Sequence, residues 1–141
     1  MNHYLLFSHD GFGLGHSRRN SLIALALLRR DRDARVTLVS GLPWTPRWMQ
    51  SSPRVRVVKV PPMLKASGGY RALGVTFEQA IRQRAAIFVA TVHRDRPDVV
   101  VVDRHPYGTA GELRPGLLAA QQAGARLVLG LRDVQIGRAH V

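Results

Sequence analysis

His3-Tyr4-Leu5-Leu6-Phe7 runs into Ser8-His9-Asp10-Gly11-Phe12-Gly13-Leu14-Gly15-His16, and from Ser17 to Arg30 the chain is rich in leucine and alanine. A short apolar run without alternation fits a parallel strand buried on both faces. Gly11, Gly13 and Gly15 let the backbone turn tightly and approach a ligand, because glycine adopts positive φ without steric cost. Arg29 and Arg30 stand where cations favour a helix C-terminus, so a helix is expected from His16 or Ser17 to Arg30. Its unpaired N–H groups would face whatever lies over the loop, which makes this turn a site for an anion or a polar ligand. His9, Asp10 and His16 add titratable groups, and the combination points to an enzyme.

Working outward, Arg35 to Ser40 and Val55 to Val60 are β-branched runs closed by Gly41 and by Pro61-Pro62; both read as strands. Leu42 to Pro53, with three prolines and both tryptophans, reads as a structured loop or a short helix. Met63 to Gly74 carries the pair Gly68-Gly69 and few core-forming residues, and is expected to be a mobile surface loop. Thr76-Phe77-Glu78-Gln79 fits a capping box. Phe77, Ile81, Ala85, Phe88 and Val92 then follow helical spacing as the packed face, with Arg82 and Gln83 outward. Val99 to Val102 reads as a central strand ending at Asp103, Pro115 to Ala123 as a short helix stopped by Gly124, and Arg126 to Leu131 as a fifth strand.

Strands alternating with helices predict an α/β, Rossmann-like parallel sheet of about five strands with flanking helices, whose ligands bind beyond the carboxyl ends of the strands. The 141 residues suit one domain, taken as 1–135. Ile136 to Val141 resembles translated read-through of a sequencing adapter, so 136–141 is expected to be a non-native tail and the chain a fragment. Cysteine is absent and the six histidines lack metal-ligand spacing, so no metal is expected. Neither a bilayer-spanning run nor a signal peptide is visible, which makes the cytoplasm the expected location. The net charge of +12 comes almost wholly from arginines scattered along the sequence. It favours a phosphate-bearing ligand or peripheral contact with an anionic membrane at the inner face over nucleic acid.

The glycine loop fails the dinucleotide fingerprint, since Gly11-x-Gly13-x-Gly15 has the wrong spacing and the second strand ends Val39-Ser40-Gly41 without an acid. It also lacks the Gly-Lys-Ser/Thr of a P-loop, and no G-x-S-x-G nucleophile elbow occurs. The second constellation is Asp103-Arg104-His105-Pro106-Tyr107-Gly108, followed by Glu112 and Arg114. In a parallel sheet the carboxyl ends of the first and fourth strands face one crevice. His16 and Asp103 are then able to meet, the aspartate orienting the imidazole as general base for a hydroxyl group. His105 is a competing base, and Asp103 alone is equally readable as a turn cap.

These residues, Ser8 to Asn20 with Asp103-Arg104-His105-Pro106 and Gly111-Glu112-Leu113-Arg114-Pro115, resemble predicted bacterial glycosyltransferases of the two-Rossmann-domain (GT-B) type. They are similar to the peptidoglycan-precursor N-acetylglucosaminyltransferases of family 28. The likeness covers Tyr4 to about Asp133 and implies the amino-terminal, acceptor-side half of such an enzyme. It implies a nucleotide-sugar donor as co-substrate, no cofactor or metal, His16 as base with Asp103 behind it, and a carboxy-terminal domain as partner. His9, Asp10, Gly11, Gly13, Gly15, Arg104, His105 and Glu112 would line the substrate. The chain departs from the family's Gly-Gly-Thr-Gly-Gly-His type of loop at His9-Asp10, Phe12 and Leu14, so the family's acceptor does not carry over to it. The rival from another class is a non-catalytic anion- or nucleotide-binding module of the same fold.

Overall fold

The computed structural model describes residues 2–8, 15–41, 47–66, 69–72, 74–103 and 107–130, with the main chain alone at 15–18, 64–66, 69–71 and 130. Its first half is strand β1 (His3–Ser8), helix α1 (Gly15–Arg30), β2 (Arg35–Ser40), the short α2 (Arg47–Ser51) and β3 (Val55–Lys59). Two short strands follow, β4 (Met63–Ala66) and β5 (Gly69–Ala72), and then α3 (Phe77–Asp95), β6 (Val99–Asp103), α4 (Arg114–Gln122) and β7 (Arg126–Gly130). Five of the strands form one sheet in the order β3-β2-β1-β6-β7, and every pair in it is parallel. The fold class is therefore the expected one: a Rossmann-like half-fold, a parallel sheet between helices.

Strand parity divides the core. Leu6 of β1, with Val36 and Leu38 of β2, packs on Ala24 and Leu28 of α1 and Met49 of α2. Leu5 and Phe7, pointing the other way, join Val100 and Val102 against Phe88 and Val92 of α3 and Leu117 and Ala120 of α4. Burial on both faces is why these strands carry continuous apolar runs rather than alternating ones. The two helices on the second face approach closely because α4 has no side chain at Gly116, where a Cβ would lie 2.3 Å from Phe88 Cδ2. Phe88 in turn meets Phe7 edge to face, with ring centres 5.6 Å apart.

Helix boundaries follow local chemistry. Thr76 caps α3 reciprocally with Gln79: the Gln79 N–H donates to Thr76 Oγ1 at 3.1 Å and the Thr76 N–H donates to Gln79 Oε1 at 3.0 Å, satisfying donors the first turn leaves over. At the end of α1, the Arg54 guanidinium donates to the carbonyls of Leu28 (2.9 Å), Asp31 (2.9 Å) and Arg32 (2.7 Å). These are the acceptors a terminating helix cannot use, and a cation suits the negative end of the dipole.

Two expectations are corrected. Met63 to Gly74 is not a plain loop: β4 and β5 pair antiparallel, Met63 with Ala72 and Ala66 with Gly69, and Met63 is buried. Pairing between the two arms supplies the backbone hydrogen bonds that a loop leaves to water. On α3 the packed face is Ala80, Arg84, Phe88, Thr91 and Val92, while Phe77 is exposed. The face is rotated because a buried partner makes room for a charged residue, Arg84, in the core.

At the amino-terminal ends of the strands, Thr37 Oγ1 donates to Asp95 Oδ2 at 2.7 Å and lies 2.6 Å from His3 Nε2. With the hydroxyl proton committed to Asp95, Nε2 must carry the imidazole proton and donate. Burial holds the His3 imidazole below its ordinary pKa of 6.5; Asp95 opposes this, and the charges of Arg35 and Arg56 add to it. His3 and Asp95, 4.0 Å apart, are thus a neutral donor and an anion at pH 7. Burial pushes the Asp95 carboxyl up, but hydrogen bonds from Arg94 and Thr37 and the charge of Arg56 hold it below its ordinary value.

Candidate active site

Strand order reverses between β1 and β6: the chain builds outward through β2 and β3 on one side, then returns to add β6 and β7 on the other. Loops leaving two such strands diverge at their carboxyl ends and open a crevice there. The register sets Phe7 beside Val102, which brings Ser8 and Asp103 to the crest of neighbouring strands, and α1 starts just beyond at Gly15.

Asp103 is 1% exposed. Arg19 Nη1 donates to its Oδ1 at 2.6 Å, from a side chain 34% exposed. A carboxylate buried at a strand end requires such a partner, since an isolated buried charge is strongly disfavoured. The pair ties α1 to β6 across the switch point. Below it, Ser8 Oγ and both amide atoms of Asn20 are buried with no hydrogen-bond partner among the described residues. Asn20 extends the row of Ala24 and Leu28 along α1, so the sheet-facing side of this helix turns polar where it nears the crest.

The second arm lies after β6. Glu112 is buried; its Oε2 accepts from Arg84 Nε at 3.0 Å and its Oε1 from the Ala110 N–H at 2.9 Å. Arg84, 1% exposed, also donates from Nη1 to the Pro61 carbonyl at 2.8 Å, and its guanidinium carbon sits 5.3 Å from the centre of the Phe7 ring. One buried ion pair therefore joins α3, the segment after β3 and the segment before α4, all beside the crest of β1. Gly108 makes this possible: its φ is +92°, and a Cβ there would lie 2.1 Å from Glu112 Oε1. Outside the pair, the Arg114 guanidinium stacks 4.3 Å from the centre of the Tyr107 ring. Both residues border an apolar concavity of about 670 Å³ with Pro115, Leu117, Leu118 and Leu127.

Of the residues singled out in the sequence, Asp103 is at the crest and Glu112 is beneath it, held internally. His9, Asp10, Gly11, Gly13, Arg104 and His105 lie outside the described residues, and of Gly15 and His16 only the main chain is described, at the start of α1. Arg19 and Arg84 were not singled out. Their signal was present as partners demanded by Asp103 and Glu112, but many arginines compete for that part and spacing does not choose among them. Among the described residues no three histidine, aspartate or glutamate side chains converge as metal ligands.

No protein-family model and no curated protein matches the chain. Among solved structures, a UGT transferase from Siraitia grosvenorii in complex with UDP matches 90% of this chain and 27% of its own, at 24% identity and a TM-score of 0.52. MurG of Acinetobacter baumannii matches 99% of this chain and 39% of its own, at 13% identity and a TM-score of 0.58. The chain thus shares the fold of a part of each and spans less than half of either.

Proposed function

We propose that this chain is the amino-terminal, acceptor-side half of a glycosyltransferase that moves a hexosyl unit from a nucleotide sugar to an acceptor hydroxyl. The reading rests chiefly on Asp103: a buried carboxylate at the switch point, tethered by Arg19 to the first turns of the helix that carries His16. The fold shared with a UDP-bound transferase and with MurG supports it.

In the proposed reaction His16 takes the acceptor hydroxyl proton as the acceptor oxygen bonds to the anomeric carbon. The bond from that carbon to the nucleoside diphosphate breaks, and the diphosphate leaves with both bonding electrons. A base positioned in this way contributes a factor of about 10² to 10⁴. The N–H groups at the start of α1 and the glycine loop stabilise the leaving charge, so the chemistry needs no metal. Arg19 and Asp103 tie the first turns of α1, which carry the main chain of His16, to β6. Glu112, committed to Arg84 and the Ala110 N–H, ties the segment before α4 to α3. The donor nucleotide is held mainly by a second domain.

The test is release of nucleoside diphosphate from a panel of nucleotide sugars, with and without hydroxyl acceptors, by the protein that carries this chain. Acceptor-dependent release is expected. Nucleotide binding without turnover of any sugar would favour the non-catalytic module.

A further inference from the structure

A belt of polar side chains crosses the sheet beneath the first turns of α1. Ser8 and Ser40 stand side by side at the ends of β1 and β2, and the register that sets Phe7 beside Val102 brings Asp103 to the same level of β6. Each follows by two residues a side chain packed in the α1 layer of the core, namely Leu6, Leu38 and Val101. Strand alternation therefore turns all three toward α1. From the helix, Asn20 continues the row of Ala24 and Leu28, which pack in that layer. Ser8, Ser40, Asn20 and Asp103 are each at most 1% exposed.

Asp103 is paired with Arg19, whereas Ser8 Oγ and both Asn20 Oδ1 and Nδ2 have no hydrogen-bond partner among the described residues. Buried polar groups in folded proteins are nearly always hydrogen-bonded, and one left alone costs its full desolvation. Packing alone would place an apolar residue at position 20, as at 24 and 28, since asparagine is also a poor helix former. Three orphan atoms on two neighbouring elements stand at the switch point, where sheets of this kind bind ligands. A local rule broken at such a place is the mark of a binding function.

We propose that Ser8 and Asn20 form a binding site for two adjacent hydroxyl groups of a neutral, polyhydroxylated ligand. Hydrogen-bonding capacity selects the class. The Asn20 amide brings both donors and an acceptor, and the Ser8 hydroxyl donates as well as accepts. One ligand hydroxyl donates to Asn20 Oδ1 and accepts from Ser8, and its neighbour accepts from Asn20 Nδ2. A phosphate offers acceptors, so it leaves Oδ1 unpaired and meets the Asp103 carboxylate beside Ser8. An ammonium group offers donors alone and leaves Nδ2 unpaired. Arg19 and Asp103 neutralise each other, so the pair adds no net charge that would select an ion. The site deepens the transferase reading by naming the ligand on this half of the cleft as a polyol. It rests on that reading for the ligand's role as acceptor, while the binding itself is measured without turnover.

The test is nuclear magnetic resonance of the whole chain, isotope-labelled on asparagine. The chain holds two asparagines, Asn2 and Asn20, so Asn2→Gln leaves the side-chain NH₂ signal of Asn20 alone. Methyl glycosides of glucose, galactose and mannose, and inorganic phosphate, are titrated at one ionic strength. At least one glycoside should shift the Asn20 signal saturably, and phosphate should not. Ser8→Ala should weaken that glycoside about three- to tenfold. A shift with phosphate alone, no shift with any glycoside, or unchanged affinity in Ser8→Ala would overturn the proposal. So would a water cross-peak to the Asn20 NH₂ that persists at saturating glycoside, which would mean a buried water only. Sugar transfer by the protein carrying this chain, with no such shift, sinks this site and leaves the transferase reading standing; a shift without transfer does the reverse.

Discussion

Glu112→Gln keeps the shape of the side chain and removes its charge, and the consequences follow from three distances. Oε1 accepts from the Ala110 N–H at 2.9 Å and Oε2 from Arg84 Nε at 3.0 Å. A glutamine has one acceptor oxygen, so its amide NH₂ must face one of those two donors whichever way it is turned. The Arg84 guanidinium, 1% exposed, then keeps the Pro61 carbonyl and the Phe7 ring but loses its counter-charge. Breaking one side of a buried pair costs about 3–5 kcal/mol, because the remaining charge stays desolvated. For a chain of this size that lowers Tm by roughly 10–17 °C. Replacing both partners, Arg84→Met with Glu112→Leu, removes the stranded charge and should recover most of the loss. The assay is a double-mutant cycle of urea or thermal unfolding followed by circular dichroism. A single variant within about 1 kcal/mol of wild type, or additive losses in the double variant, would refute the claim that the pair ties the segments beside the crest.

Gly116→Ala should destabilise by about 1–3 kcal/mol, since its methyl group would displace a fully buried Phe88; calorimetry gives the value, and an unchanged Tm would mean the two helices separate freely. Thr76→Ala removes one side of the capping box and should cost about 1 kcal/mol, with Thr76→Ser recovering most of it. His3 gives a pH dependence of fixed sign. Its folded pKa lies below the ordinary 6.5, so the unfolded chain binds more protons in that interval. The stability His3 contributes is complete above pH 6.5 and declines as the pH falls toward the folded value. His3→Gln should flatten the fall in Tm between neutral pH and mildly acid pH, and a slope unchanged by the substitution would locate the effect elsewhere.

Much of the fold was legible because it is written locally. Val99 to Val102 and Arg35 to Ser40 are β-branched runs bounded by breakers, and Thr76 with Gln79 announces a helix start in four residues. The β4–β5 hairpin was missed because its arms are four residues long and lack a clear two-residue alternation, so Gly68-Gly69 dominated the reading. Arg84 was missed for a different reason. It occupies a core position only because Glu112, 28 residues later, meets it there, and no window along the chain contains both. The candidate site divides in the same way. Asp103 and the start of α1 followed from strand ends in a parallel sheet, whereas the link from Asp103 to Arg19 spans 84 residues and is settled by packing.

The proposed role of His16 is read from the rate of sugar transfer from a nucleotide sugar in the protein carrying this chain, wild type against His16→Ala. With His16 as the proposed base, kcat should fall by about 10² to 10⁴ while donor KM changes little, because a base acts in the transition state. Transfer undiminished in His16→Ala, or no transfer by the wild type from any nucleotide sugar, would contradict it.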